Sequence, residues 1–329
     1  MKEIKITDIK GVRIGHAQDL DGGTGCTAII CDEGAVAGVD VRGGGPASRE
    51  TELLRPEKTV QKIHCVMLSG GSAYGLEAGD GAMKYLEEKG IGLDVGVGIV
   101  PLVCGASLFD LVVGDPKCRP DKDMGYTACA ASEKNSFEGG GIVKTGCVGA
   151  GTGASVGKFL GPERMMKSGI GIYAAQIGKV QCAAVVAVNA VGDVIDRDSH
   201  RIAAGILSED KTKLADTEKI MYSEIEKNRD AFKGNTTLGC VITNVGLTKD
   251  QAYKLAQVSH NGYAKTINPV HTSLDGDTIF AMSVGEVEAS PDILGAMATE
   301  VMARAVNDAV YSAVPMYGLK AACDFRKKE

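Results

Sequence analysis

Two apolar runs constrain the fold most. Residues 170–177 read IGIYAAQI and residues 182–196 read CAAVVAVNAVGDVID, with the turn region GKVQ between them. Their content of β-branched residues and the short gap predict an antiparallel pair of strands. Further strands are expected at CTAIICD (26–32), AGVDVR (37–42) and HCVMLSG (64–70). Helices alternate with them only loosely. SAYGLEAGDGAMKYLEEKG starts at Ser72 as N-cap and stops at Gly90, and TKDQAYKLAQVSHNGYAK opens with Thr248 and Gln251 in capping-box register. SPDILGAMATEVMARAVNDAV places Ser290 as cap, Pro291 in the first helical position and Ile293, Met297, Val301 and Ala305 on one stripe. All three stripes read as core packing. Long strands with few parallel βαβ signals predict an α+β layered fold, helices on the outer faces of sheets.

The composition excludes several classes. The chain carries 44 glycines in 329 residues, nearly twice the usual share of about 7%, which requires many tight turns and close backbone approaches. A net charge of −6 without any Lys/Arg run lacks the electrostatic footprint that nucleic acid demands. The opening MKEIKITDIKGVRIGHAQDL has no apolar core after its basic residues, and no later window resembles a membrane span, so neither a signal peptide nor a membrane partner is expected. The ten cysteines stand singly, mostly inside apolar runs, as reduced core residues of a cytoplasmic protein do. There is no CxxC and no histidine at ligand spacing beside them, so a zinc site is not expected.

Chemistry is sought in two places. The Gly-rich stretch GCVGAGTGASVGKFLG (146–161) lacks the Ser/Thr that must follow Lys158 in a phosphate-binding loop, and it holds only an Ala-ended form of the dinucleotide fingerprint. Within it, GASVG (153–157) fits Gly-x-Ser-x-Gly, which would make Ser155 a nucleophile with His260 or His271 as base. The second place is the densely charged segment 208–235, read as a solvated helix or exposed loop, which runs straight into Asn235-Thr236-Thr237 and a buried strand. A hydroxyl is a weak nucleophile without an adjacent base, and one solution is for Thr236 to become the first residue of its own chain. Its α-amine, titrating near ~8, then serves as the base. The precursor must break the Asn235–Thr236 bond, which the same hydroxyl does by attacking the preceding carbonyl.

The blocks GVRIGH (11–16), GTGCTAIICDEGAVAGVDVRGGGPASRETELL (23–54), LSGGSAYGLEAGDGAM (68–83), VPLVCGASLFDL (100–111), GTGASVGK (151–158), GNTTLGCVITN (234–244) and LAQVSHNGYAKTINPVHTSLDGDTIFAMSVG (255–285) occur in order over nearly the whole chain. Together they resemble the L-aminopeptidase/D-esterase, β-peptidyl aminopeptidase and nylon-oligomer hydrolase family, whose members are self-processing N-terminal-nucleophile hydrolases. The resemblance implies a four-layer αββα sandwich, a fold shared with ornithine acetyltransferases. It also implies one hydrolase domain over 1–329 that cleaves itself into an α-chain, 1–235, and a β-chain, 236–329.

By the same resemblance Thr236 is the nucleophile, Asn189 gives its side-chain amide to the oxyanion, and Lys158 favours loss of the Thr236 proton. Asp275 and Asp277 match the acidic pair that orients the hydroxyl and holds the new α-amine. Read alone, Asn189 is a turn residue, Lys158 a surface lysine, and Asp-Gly-Asp a turn before a strand. Some relatives carry Ser at the nucleophile and a Ser/Glu pair in place of the two aspartates, so the match lies with the Asn-Thr-Thr, Asp-Gly-Asp branch. The implied enzyme is a homo-oligomer, often a tetramer, with no metal or organic cofactor, acting on small peptides, amino-acid amides or esters. The alternatives are an acyltransferase of the same fold and an uncleaved small-molecule binding protein. The physiological substrate and its handedness are not encoded in any motif.

Overall fold

The structure is a computed structural model that describes residues 1–225 and 234–325. Eight strands carry the architecture: β1 (Arg13–Asp19), β2 (Thr24–Val41), β3 (Ile63–Ser69), β4 (Val103–Ser107), β5 (Ile170–Ile177), β6 (Val180–Ala187), β7 (Leu238–Val245) and β8 (Thr278–Val287). Four helices cover them: α1 (Ala78–Glu88), α2 (Lys122–Ala131), α3 (Lys249–Thr266) and α4 (Pro291–Tyr311). The expected hairpin is present, with Ile177 opposite Val180 across Gly178-Lys179. From β5 the hydrogen-bonded order runs β6, β7, β8, β2, β3, β4. The β7–β8 and β3–β4 pairs are parallel and the others antiparallel.

Strand β2 makes the path into two sheets. Its end, Val36–Val41, pairs with β8, whereas its beginning, Thr24–Ile30, pairs with β1 and β3, with an irregularity between Ile30 and Ala35. A strand that switches sheets through such a bend lets the two halves pack face to face.

Side chains then sort by the two-residue period of the pleat. Ala184, Val186, Val241 and Ala281 pack on Ala256, Met297 and Val301 of α3 and α4. Their neighbours Ala183, Val185, Cys240 and Phe280 face Ile29, Val66, Leu68 and Cys104 of the other sheet. On that sheet's far side Ala28, Ile30, Cys65 and Met67 meet Ala82, Leu86, Ala128 and Cys129 of α1 and α2. The layers are therefore helix, sheet, sheet, helix, as expected.

Four local expectations are corrected. The run 182–196 is not one strand: β6 ends at Ala187, and Asp193–Ile195 pairs instead with 202–204 and 267–268. Val188 N–H turns to Gly169 O, and the break leaves Asn189 between the two strands. The stretches 26–32 and 37–42 are halves of β2 rather than separate strands. Ser72 caps nothing; its φ is +57°, and a 3₁₀ segment, Ser72–Glu77, precedes α1. On α4, Ile293 is exposed while Met297, Val301 and Ala305 are buried, because the inward stripe begins at Leu294.

Elsewhere the end signals hold. Gln251 accepts the Thr248 N–H at 3.0 Å, and Pro291 opens α4. In the charged segment a short helix spans Thr217–Ser223, whereas the reading of 226–233 lies outside the described residues. No helix among the described residues is long and apolar enough to cross a membrane.

Candidate active site

Parallel pairing sets Leu238 opposite Thr278, so the lead-in residues of β7 and β8 lie abreast. Asn235 bridges to Asp275, Gly276 N–H donates to Asn235 O at 2.9 Å, and Thr278 N–H donates to Thr237 O at 3.1 Å. Two glycines permit this close approach. A Cβ on Gly276 would stand 2.5 Å from Thr236 Oγ1. Gly234 has φ +127°, and a Cβ there would stand 2.4 Å from the Phe109 ring.

Thr236 is buried at this junction, its hydroxyl donating to the carbonyl oxygen of Asn235 and its N–H to Asn189 O at 2.9 Å. The same Asn189 carbonyl accepts from Lys158 Nζ at 3.0 Å, and the Lys158 ammonium also donates to Asn189 Oδ1 at 2.7 Å and Gly234 O at 3.2 Å. Lys158 is fully buried, not the surface lysine of the plain reading. Burial pushes its pKa down to about 7, opposed by the charges of Asp275, Asp110 and Asp277. Lysine and the 234–236 segment are thus joined through Asn189 and directly at Gly234 O.

The network also fixes the Asn189 amide. Its Oδ1 accepts from Lys158 and from Ser155 N–H at 3.1 Å, so Nδ2 must point the other way, where it donates to Phe109 O at 2.9 Å. That donor is directed at Phe109, with its second hydrogen not committed by these bonds.

The two aspartates flank Thr236 and make no hydrogen bond to it among the described residues. Asp275 Oδ2 accepts from Thr272 N–H and Oγ1, at 2.8 and 2.7 Å, while its buried Oδ1 has no partner among the described residues. Burial, reinforced by the Asp277 charge, raises Asp275 to about 6. Asp277 accepts from Thr237 N–H at 2.8 Å and from His271 Nδ1 at 2.9 Å, tying strand and turn together. What meets the Asn235 carbonyl is the peptide between the two acids.

Sequence reading had not singled out Gly276, Phe109 or Asp110. Asp110 lies in the quoted block 100–111, and it is buried, accepting from Gly71 N–H and Thr24 Oγ1 at 2.7 Å each. Its signal was a lone acid in an apolar run.

Ser155 stands in a two-residue strand rather than a strand–turn–helix elbow, fully buried, with Oγ 3.4 Å from Asn189 Oδ1. Of its supposed bases, His271 is held by Asp277, and His260 is on α3, its Nε2 3.1 Å from Asp40 O. All ten cysteines are free thiols, and seven are buried. Among the described residues no cluster of His, Cys, Asp or Glu is placed to hold a metal.

A cleft of about 280 Å³ opens onto Gly234, Asn235 and Thr236, walled by Ala47, Ser107, Phe109 and Leu274. It brings solvent to the segment that holds the alcohol and the peptide carbonyl, with the fully buried Asn189 and Lys158 hydrogen-bonded to that segment from behind. The model of "Peptidase family S58" matches residues 5–323. The chain belongs to peptidase family S58.

Among relatives of this S58 chain, an uncharacterized aminopeptidase of Mycobacterium leprae is 38% identical over 97% of this chain and 93% of its own. A 6-aminohexanoate-oligomer endohydrolase of Paenarthrobacter ureafaciens is 30% identical over 94% of this chain and 86% of its own. In fold, the S58 chain resembles the L-aminopeptidase D-Ala-esterase/amidase of Ochrobactrum anthropi, a variant of the Ntn hydrolase fold. The TM-score is 0.67 and the identity 18%, covering 94% of this chain and 86% of that one. A Burkholderia sp. β-aminopeptidase gives 0.66 at 18% identity, covering 96% and 89%. The chain is a hydrolase with the Ntn hydrolase fold.

Proposed function

We propose that this hydrolase matures by cutting its own Asn235–Thr236 bond, giving an α-chain of 1–235 and a β-chain of 236–329, and that Thr236 is the nucleophile of the mature enzyme. The observation that carries the reading is the Thr236 hydroxyl laid on the carbonyl of its own preceding peptide, beside a buried lysine with depressed pKa. In the first step Oγ1 bonds to the Asn235 carbonyl carbon while its proton passes to neutral Lys158 directly or through water. The carbon–nitrogen bond then breaks and the nitrogen takes up a proton, leaving an ester that water hydrolyses.

In the mature enzyme the freed α-amine takes the hydroxyl proton and returns it to the leaving group. Asp275 has a buried oxygen without a hydrogen-bond partner among the described residues, and it and Asp277 supply the negative charge that holds this amine when protonated. Asn189 Nδ2 supplies its second hydrogen to the acyl oxygen of the substrate. The substrates are small peptides, amino-acid amides or esters, cut through an acyl-enzyme on Thr236. The names of the relatives, an aminopeptidase and an amide-oligomer hydrolase, support that class.

The enzyme works in the cytoplasm as a homo-oligomer, a tetramer by family analogy. Supporting assembly, the hairpin 93–100 exposes Leu93, Val95, Val97, Ile99 and Val100 together. The functional test is acid-quench mass spectrometry during turnover of an amino-acid p-nitrophenyl ester. The acyl mass is expected on the 236–329 piece, and acyl mass on the 1–235 piece, which contains Ser155, would refute the assignment.

A further inference from the structure

Self-cleavage needs something that the acid pair and Asn189 do not supply before the bond is broken. When Thr236 Oγ1 adds to the Asn235 carbonyl, the carbonyl oxygen becomes an alkoxide, and a donor must already be aimed at it. Asn189 Nδ2 is directed at Phe109 O, and Lys158 donates to Asn189 O and to the preceding carbonyl, Gly234 O. Among the described residues, the Gly276 N–H donates to the scissile oxygen beside the attacking hydroxyl, at 2.9 Å.

We propose that the backbone N–H of Gly276 is the oxyanion donor of the self-cleavage step, so that the middle residue of Asp275-Gly276-Asp277 contacts the reacting atoms and the two acids hold it in place. This rests on Thr236 being the residue that attacks. Three observations bear it. The turn is clamped from both sides: Asp275 O accepts from Gly45 N–H at 2.8 Å, and Asp277 O accepts from Arg42 N–H at 3.0 Å. Apart from Asp275 Oδ1, the acids' side-chain oxygens are engaged by Thr272 and His271 of the turn and by Thr237 of the facing strand's lead-in. No side chain fits at 276, since a Cβ would crowd both Thr236 Oγ1 and Gly45 O, at 2.5 and 2.9 Å.

The balance is simple. The new carbon–oxygen bond puts the carbonyl electron pair on the Asn235 oxygen, the Gly276 N–H holds it, and the pair returns as the bond to Thr236 nitrogen breaks. No proton leaves Gly276.

The test replaces the residue-276 peptide by an ester, using glycolic acid charged on a suppressor tRNA in cell-free synthesis of the full chain. That change deletes the N–H and adds no side chain. The same swap at Gly45 is the control, because it weakens the turn's clamp without touching the scissile oxygen. Appearance of the 236–329 piece is followed by mass. The 276 ester is expected to slow it about 10²- to 10³-fold, with the 45 ester within a few-fold of wild type and both chains unfolding at similar temperatures. Unchanged cleavage in the 276 ester, or equal slowing in both, overturns the proposal while leaving Thr236 in its role. A wild-type chain that never cleaves at Asn235–Thr236 overturns both. Independently of those variants, a crystal structure of the uncleaved Thr236→Ala chain must keep Gly276 N within about 3.2 Å of Asn235 O. A longer separation there also overturns it.

Discussion

At the scale of single residues the decisive group is Lys158. Burial lowers its pKa to about 7, so protons leave the folded chain's lysine some units below the value of a free one. If neutral Lys158 takes the Thr236 proton, self-cleavage is slow where the lysine is charged, rises as pH passes through about 7, and levels off above it. Rates of piece formation between pH 5 and 9 check this, and a profile falling with pH would contradict it. Lys158→Arg keeps a cation that does not deprotonate, so it is expected to slow cleavage at least about 100-fold at pH 8. In the proposed mechanism Asn189 has a double duty, positioning Lys158 through Oδ1 and offering Nδ2. Asn189→Ala in an already cleaved enzyme is expected to lower kcat by about 10²-fold or more with a smaller effect on KM. A change in KM alone would remove it from the reacting atoms.

At the scale of elements the site is made by two parallel strands whose lead-ins are held level. Gly234 shapes the entry to β7, and Gly234→Ala must move both its backbone and the Phe109 ring. Slower self-cleavage in a chain that still folds is expected, and wild-type rate would refute the packing argument. Strand β8 is buried on both faces, and Phe280 stands between the two sheets. Phe280→Ala is expected to lower stability by about 3–5 kcal/mol, measured by denaturant unfolding of the uncleaved Thr236→Ala chain.

Much of this scale was legible in the sequence. The β5–β6 hairpin, the α3 cap and the α4 start follow from local turn and cap chemistry, which a chain writes within a few residues. The break at Asn189 was not legible, because Val188–Val191 is as buried as the strands beside it and hydrophobicity reports burial rather than hydrogen bonding. The single β2 strand was missed for the converse reason: its bend carries polar Asp32 and Glu33, which look like a turn. In the site, the step from charged segment to buried strand pointed to Thr236, whereas Asn189, Lys158 and the aspartates came only with the family resemblance. The contact through Gly276 involves backbone atoms, and no side chain could announce it.

At the scale of the whole molecule, β7 and β8 are interior strands. β7 lies between β6 and β8, and β8 lies between β7 and β2, so both flanking partners β6 and β2 belong to the 1–235 piece. Cutting after Asn235 leaves those ladders and the α3–α4 layer intact. The two pieces should therefore elute together under native conditions and separate only in denaturant, and free 236–329 in native gel filtration would contradict this topology. The most direct test of the whole account is intact-mass analysis of the freshly purified and the incubated chain. Two species are expected, one ending at Asn235 and one beginning at Thr236, with Thr236→Ala remaining a single chain of 34.2 kDa. A fully active preparation that stays at 34.2 kDa would contradict it.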